Sequence, residues 1–138
     1  MSTAAGPALS NAGLTVLSEE EELFRASVRE FAEGEVRPKV EAMEHAGKLD
    51  SDLIKQCFEL GLMAIESPEE YGGAGSTIFN AILAIEELAR VDASVSVFVD
   101  VHNTLVTNAF MRWANDDQKK KYLTQMATSR VGAYALSE

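Results

Sequence analysis

The chain has 138 residues, with 12 Lys and Arg against 22 Asp and Glu and a net charge of -10. That is enough for one domain that buries roughly two-thirds of the surface its unfolded form exposes. A negative field of this size repels phosphate backbones and anionic lipid surfaces, so charge argues against nucleic acid and membrane-surface partners. Cys57 is the sole cysteine, which excludes an intrachain disulfide and a cysteine-based metal site, and no apolar run approaches the roughly 20 residues of a membrane helix.

The opening "MSTAAGPALSNAGLTVL" contains no Lys or Arg, so it has the pattern of neither a signal peptide nor an Arg-rich transit peptide. Its small and polar residues describe a disordered leader over residues 1–16, mobile to about Leu14. In "SEEEELF", Ser18 and Glu21 have the spacing of a capping box, and the acids around them complement the positive end of a helix dipole. Phe24, Val28 and Phe31 form the buried stripe of that helix, and Pro38 ends or kinks it because proline brings no N–H to the ladder. "KVEAMEHAGKLD" reads as loosened helix and loop.

Asp50 or Ser51 caps a second helix whose inward face holds Leu53, Ile54, Cys57, Phe58 and Leu60, and Gly61 supplies a left-handed stop. "LMAIESPEEYGGAGS" is then a long turn. Its glycines invite a phosphate-cradle reading, but "GGAG" lacks both the P-loop lysine and the dinucleotide-binding spacing, and a structural loop is preferred. Ser76 restarts a helix to Arg90, with Ile78, Ile82, Ile85, Leu88 and Ala89 inward and Glu86 and Glu87 outward.

"ASVSVFVDVHNTL" carries two periods. Val95, Val97, Val99 and Val101 alternate as in a strand with one buried face. Val95, Phe98, Val99, His102, Leu105 and Val106 also recur at helical spacing, and the segment runs to about Trp113 without a breaker, so length decides for a helix. Asn115 or Asp116 caps a last helix, in which Lys119, Lys120 and Lys121 beside Asp116 and Asp117 make a solvated face. Val131, Ala133 and Leu136 near the end have the alternation of a strand.

Little autonomous chemistry is visible. His45 and His102 are far apart in sequence with no HExxH spacing around either, so no metal site is assigned and His102 reads as a satisfied structural residue. Glu86 and Glu87 point about 100° apart on a helix and cannot converge on one substrate atom. Ser137 has neither histidine near it in sequence, so no catalytic triad is assigned.

Five segments, "EEYGGAG", "IEELARVDASVSVF", "HNTL", "NDDQKKKYL" and "VGAYALSE", stand in the order and approximate spacing of the amino-terminal region of acyl-CoA dehydrogenases, and residues 17–138 resemble the short/branched-chain members. The resemblance implies an all-α fold, a helical bundle of the acyl-CoA dehydrogenase amino-terminal type, ending in the first strand of a missing β-domain. It divides the chain into a leader at 1–16, a helical domain at 17–129 and that strand at 130–138.

The family uses FAD to oxidise acyl-CoA thioesters, a glutamate base removing the α-proton and flavin N5 receiving the β-hydride. By resemblance Tyr134, Leu136 and Ser137 contact the flavin ring, while Phe98, Val101 and Leu105 line the acyl pocket; sheet composition and core packing would account for the same residues without a ligand. No catalytic residue is assigned, because the base lies in a missing carboxy-terminal domain, so the fragment is expected to be inactive alone. The complete enzyme would pass electrons to electron-transfer flavoprotein, assemble as a homotetramer and reside in the mitochondrial matrix. The alternative is a truncated isoform acting as a helical docking or regulatory module.

Overall fold

A computed structural model describes Gly13 and residues 16–137. The expected leader lies almost wholly outside the described residues. The structure is built from seven α-helices among those residues: α1 Glu19–Phe31, α2 Val40–Ala46, α3 Ser51–Glu59, α4 Ile78–Ala89, α5 Ala93–Asp100, α6 Asn108–Trp113 and α7 Asp116–Thr128.

Helix starts follow the local chemistry. Ser18 and Glu21 close their capping box on α1, and Asn115 and Gln118 close another on α7. Asp50 caps α3 by accepting from the amides of Asp52 and Leu53. The α4 cap is Thr77, whose hydroxyl accepts from the Asn80 amide one residue beyond the expected Ser76. Pro38 kinks rather than ends its helix: α1 widens into a π segment, Ala32–Val36, tightens into a 3-10 turn, Arg37–Lys39, and continues as α2 until Gly47 takes a left-handed conformation. A second π segment, Val101–Thr107, joins α5 to α6, so the contested stretch is one continuous helix. Val95 and Val99 are buried while Val97 is 56% exposed, a burial pattern that a strand would not produce.

α1 packs on α4, α4 on α5, and α7 on α3 and α6. The larger hydrophobic cluster gathers Val28, Phe31, Val36, Leu53, Cys57, Leu88, Val95 and Val99. The smaller one holds Val106, Leu123 and Met126, with Val101, Phe110 and Tyr122 at its edge.

Several expectations are corrected. Leu60, expected inward at the end of α3, is 55% exposed. Ile78, Ile82 and Ala89 of α4 are exposed, and Glu87, expected outside, is buried. The face is turned because Arg29 of α1 grips the Glu87 carboxylate with two hydrogen bonds of 2.7 and 2.8 Å, which offset the cost of removing that charge from water. The strand expected over 130–138 is not formed at the described residues Arg130–Ser137, which have no regular secondary structure. A strand exists only as one side of a hydrogen-bonded ladder, and no second extended segment lies beside this one among the described residues.

Candidate functional site

The 62–76 loop shows how the glycines are used. Gly72 and Gly75 have φ of 85° and 57°, conformations that side chains disfavour. Gly73 lies so close to the Ser67 carbonyl that a Cβ has no room. The amides of Gly72 to Ser76 all donate to carbonyls within the loop: Glu69, Pro68, Ala64, Ser67 and Ile65 in turn. An anion cradle needs such amides free, so the loop's geometry is that of a structural turn.

Asn103 ties that turn to the π segment. Its side-chain amide donates to the Leu62 carbonyl at 2.8 Å and the Val99 carbonyl at 2.9 Å, and its oxygen accepts from the Ile65 amide at 3.0 Å. His102, fully buried beside it, faces the other way. Its Nε2 lies 3.0 Å from the Met126 carbonyl, and its Nδ1 accepts from the Gly132 amide at 3.0 Å. Because Nδ1 is an acceptor, the ring proton sits on Nε2 and is donated to Met126. That carbonyl belongs to the last turn of α7, where intrahelical partners run out. Burial, partly opposed by the backbone bonds, holds the ring pKa below its ordinary 6.5, and Phe58 of α3 meets it edge-on at 5.9 Å.

Gly132 is also pressed against Val106, where an added Cβ would approach the valine methyl to 2.5 Å. The tail is thus fixed at one residue, beyond which it opens to solvent: Tyr134 is 51% and Leu136 79% exposed, and Ser137 is exposed as well. Phe98 is half-buried against the larger cluster, Val101 is half-buried against the smaller, and Leu105 is 43% exposed. The structure brings the tail and the π segment together at Gly132 and Val106, but the six expected site residues share no described cavity. Phe98 lines a shallow cleft of about 490 Å³ with Leu49, Ala93, Ser94 and Val97. Among the described residues no group of three His, Cys, Asp or Glu side chains is placed to hold a metal ion, and no helix is long and apolar enough to cross a membrane.

Sequence reasoning gave Asn103 and Gly132 no role. The adjacent polar pair His102–Asn103, between the apolar positions Val99 and Val106, was the signal for the first, because neighbouring polar side chains on a buried face must both find partners.

Fold and site together describe a helical bundle whose last helix and exit segment are bolted to its central helix. Residues 18–130 match the family model "Acyl-CoA dehydrogenase, N-terminal domain", and the chain belongs to the acyl-CoA dehydrogenase family. It is similar to a probable short/branched chain specific acyl-CoA dehydrogenase of Dictyostelium discoideum, with 46% identity over 125 residues covering 91% of this chain and 30% of that protein. The mitochondrial short/branched chain specific acyl-CoA dehydrogenase of Bos taurus is 38% identical over 136 residues, covering 99% of this chain and 31% of that protein. Among solved structures, a glutaryl-CoA dehydrogenase of Mycobacterium smegmatis in complex with FADH2 superposes with a TM-score of 0.75 at 30% identity, covering 80% of this chain and 28% of its own. The chain therefore spans about 30% of the length of these relatives.

Proposed function

We propose that the chain is the amino-terminal part of an FAD-dependent acyl-CoA dehydrogenase that oxidises short or branched-chain acyl-CoA thioesters at the α,β-bond, in fatty acid or branched-chain amino acid breakdown. The observation that carries this reading is the likeness, across nearly the whole chain, to two proteins named for short/branched-chain substrates. In this reading 1–16 is a leader, 17–129 the helical domain and 130–138 part of a flavin-contacting wall. Electron-transfer flavoprotein would be the electron acceptor, the complete enzyme a homotetramer, and the mitochondrial matrix its location, in keeping with the bovine relative's name.

The tail suits a planar, polar-edged ring. Apart from the Gly132 amide, its backbone groups from Val131 to Ser137 make no hydrogen bond among the described residues, and its side chains are open. Tyr134 and Ser137 would offer hydroxyls and backbone groups to the ring's polar edge, and Leu136 would cover its face. Bound FAD would supply the acceptor for the β-hydride. Phe98, Val101 and Leu105 would exclude water from the acyl chain, with Leu105 the most accessible of the three. Removing the α-proton needs a base within about 3 Å of it, and no carboxylate of these 138 residues falls on the family's base position.

The test has two arms. The purified chain alone should bind FAD more weakly than micromolar and give no acyl-CoA-dependent dye reduction. The same residues exchanged for the corresponding segment of the Dictyostelium relative should give an active chimera that prefers short or branched acyl-CoA. Turnover by the chain alone, or a folded chimera that binds FAD but does not oxidise these thioesters, would refute the proposal.

A further inference from the structure

Gly132 is held from two sides, by a ring nitrogen and by a methyl group, although the residues after it are free. This is an unusual place to spend a fully buried histidine. His102 reaches two separate pieces of backbone at once: the Met126 carbonyl at the end of α7 and the Gly132 amide in the tail, each at 3.0 Å. The two contacts need opposite properties of the ring, a proton on Nε2 and a lone pair on Nδ1. Only the neutral Nε2–H tautomer has both.

We propose that His102 is a positioning residue, a proton-sensitive clamp that holds the tail in register on the π segment through Gly132 and lets it go when Nδ1 takes up a proton. A protonated Nδ1 presents N–H to N–H, so the Gly132 contact turns from attraction to repulsion, while the Nε2–H bond to Met126 is kept and strengthened by the charge. Acid therefore opens one side of the clamp and not the other. The groups that face the ring are the Phe58 edge from α3, the Met63 backbone from the loop, the Met126 carbonyl from α7 and the Gly132 amide from the tail. No charged side chain among the described residues contributes to the ring's titration. On its own helix, Asp100 accepts from the Thr104 hydroxyl. Cys57, beside Phe58, is buried with its thiol pushed up to about 11 and so stays neutral. The Met126 and Met63 backbone groups favour a positive ring but burial outweighs them, and no charged side chain compensates it, so protonation is relieved by movement of the solvent-facing tail.

The consequence for Tyr134, Leu136 and Ser137 rests on the flavin reading above, but the clamp does not, and it is measurable on this chain without FAD. Long-range proton–nitrogen NMR reads the ring tautomer, and amide exchange at Gly132 reads the clamp. At neutral pH the ring should be Nε2–H with an unprotonated Nδ1. As pH falls through the ring's pKa, Gly132 should lose protection, corrected for intrinsic exchange, while Leu123 in α7 keeps its own.

Two variants separate the halves. In His102→Gln the amide reaches the Nε2 position and retains the Met126 bond, so Gly132 should exchange roughly tenfold faster than wild type. In His102→Asn the side-chain oxygen takes the Nδ1 position, and Gly132 should stay within about threefold of wild type. The proposal is overturned by an Nδ1–H tautomer, by equal Gly132 exchange in the two folded variants, or by Gly132 and Leu123 losing protection together in acid, which would make His102 an ordinary core residue. If neither variant folds, the wild-type tautomer and the two exchange profiles decide. FAD titration is scored separately: failure to bind flavin with an intact clamp would remove the flavin reading and leave this one standing.

Discussion

Asn103→Ala is the sharpest test of how the loop is held. The side chain is 2% exposed, and the substitution strips partners from the Leu62 carbonyl and the Ile65 amide, neither of which has another hydrogen bond among the described residues. A buried backbone group left unpaired costs about 1–3 kcal/mol, so the two together should destabilise the chain by about 2–6 kcal/mol, with the vacated volume adding to that. Against a total stability of about 5–15 kcal/mol for a domain, this is a large fraction. At roughly 3–6 °C per kcal/mol for a chain of this size, Tm should fall by about 6–36 °C. Urea denaturation followed by far-UV circular dichroism measures the difference, with Asn108→Ala as the control, since Asn108 makes only a long 3.4 Å contact to Glu66. Amide exchange at Ile65 should accelerate even where the rest of the fold is protected. A loss under about 1 kcal/mol, or one no larger than in the control, would show that the loop finds other partners and that Asn103 does not hold it.

Two further outcomes follow from charge and burial. The Glu87 carboxyl is held below its ordinary 4.5 by the Arg29 hydrogen bonds against the opposing effect of burial. The unfolded chain therefore takes up this proton first as pH falls past about 4.5, and stability is lost with acid from there downward through the folded value. Arg29→Met should lower Tm at neutral pH and flatten that acid limb; an unchanged pH profile would mean that Glu87 is stabilised by something else. Burial pushes the Cys57 thiol up to about 11, so a disulfide reagent at pH 8 should react with it only through opening of the fold, and a native rate like that of a free cysteine would contradict its burial.

Helix ends were legible because capping chemistry is local: Ser18, Asp50 and Asn115 each stand where their side-chain oxygen meets the backbone. Gly61, with φ of 74°, marks a stop because glycine takes the left-handed conformation readily, whereas Gly47, with φ of 62°, plays the same part inside a stretch that read as loosened helix and loop. The valine-rich helix was legible through its length. What escaped depends on partners distant in sequence. Glu87 is inward only because Arg29 comes from another helix, and an all-apolar helical face gave no hint that Ile78 and Ile82 would be left outside. Gly132 reveals its use only when Val106 and His102 are brought beside it. The alternation at Val131, Ala133 and Leu136 signals a capacity for pairing, which a single extended segment cannot realise. Of the candidate site, resemblance located the segments, while the side chains that anchor them lay in polar residues that periodicity alone treats as interruptions.

The π segment Val101–Thr107 has a mechanical consequence. Each residue of an α-helix advances about 100° around its axis, and a π turn holds more residues than an α turn, so it shifts the angular phase of everything after it. Val95 and Val99 before it serve one hydrophobic cluster, and Val106 within it serves the other. The two clusters are thus mounted on one shaft at an angle set by this segment. Deleting a single residue there would preserve every helix-forming preference nearby yet rotate Asn108–Trp113 by about 100° relative to Ala93–Asp100, uncoupling the two clusters as a shaft slips in its key.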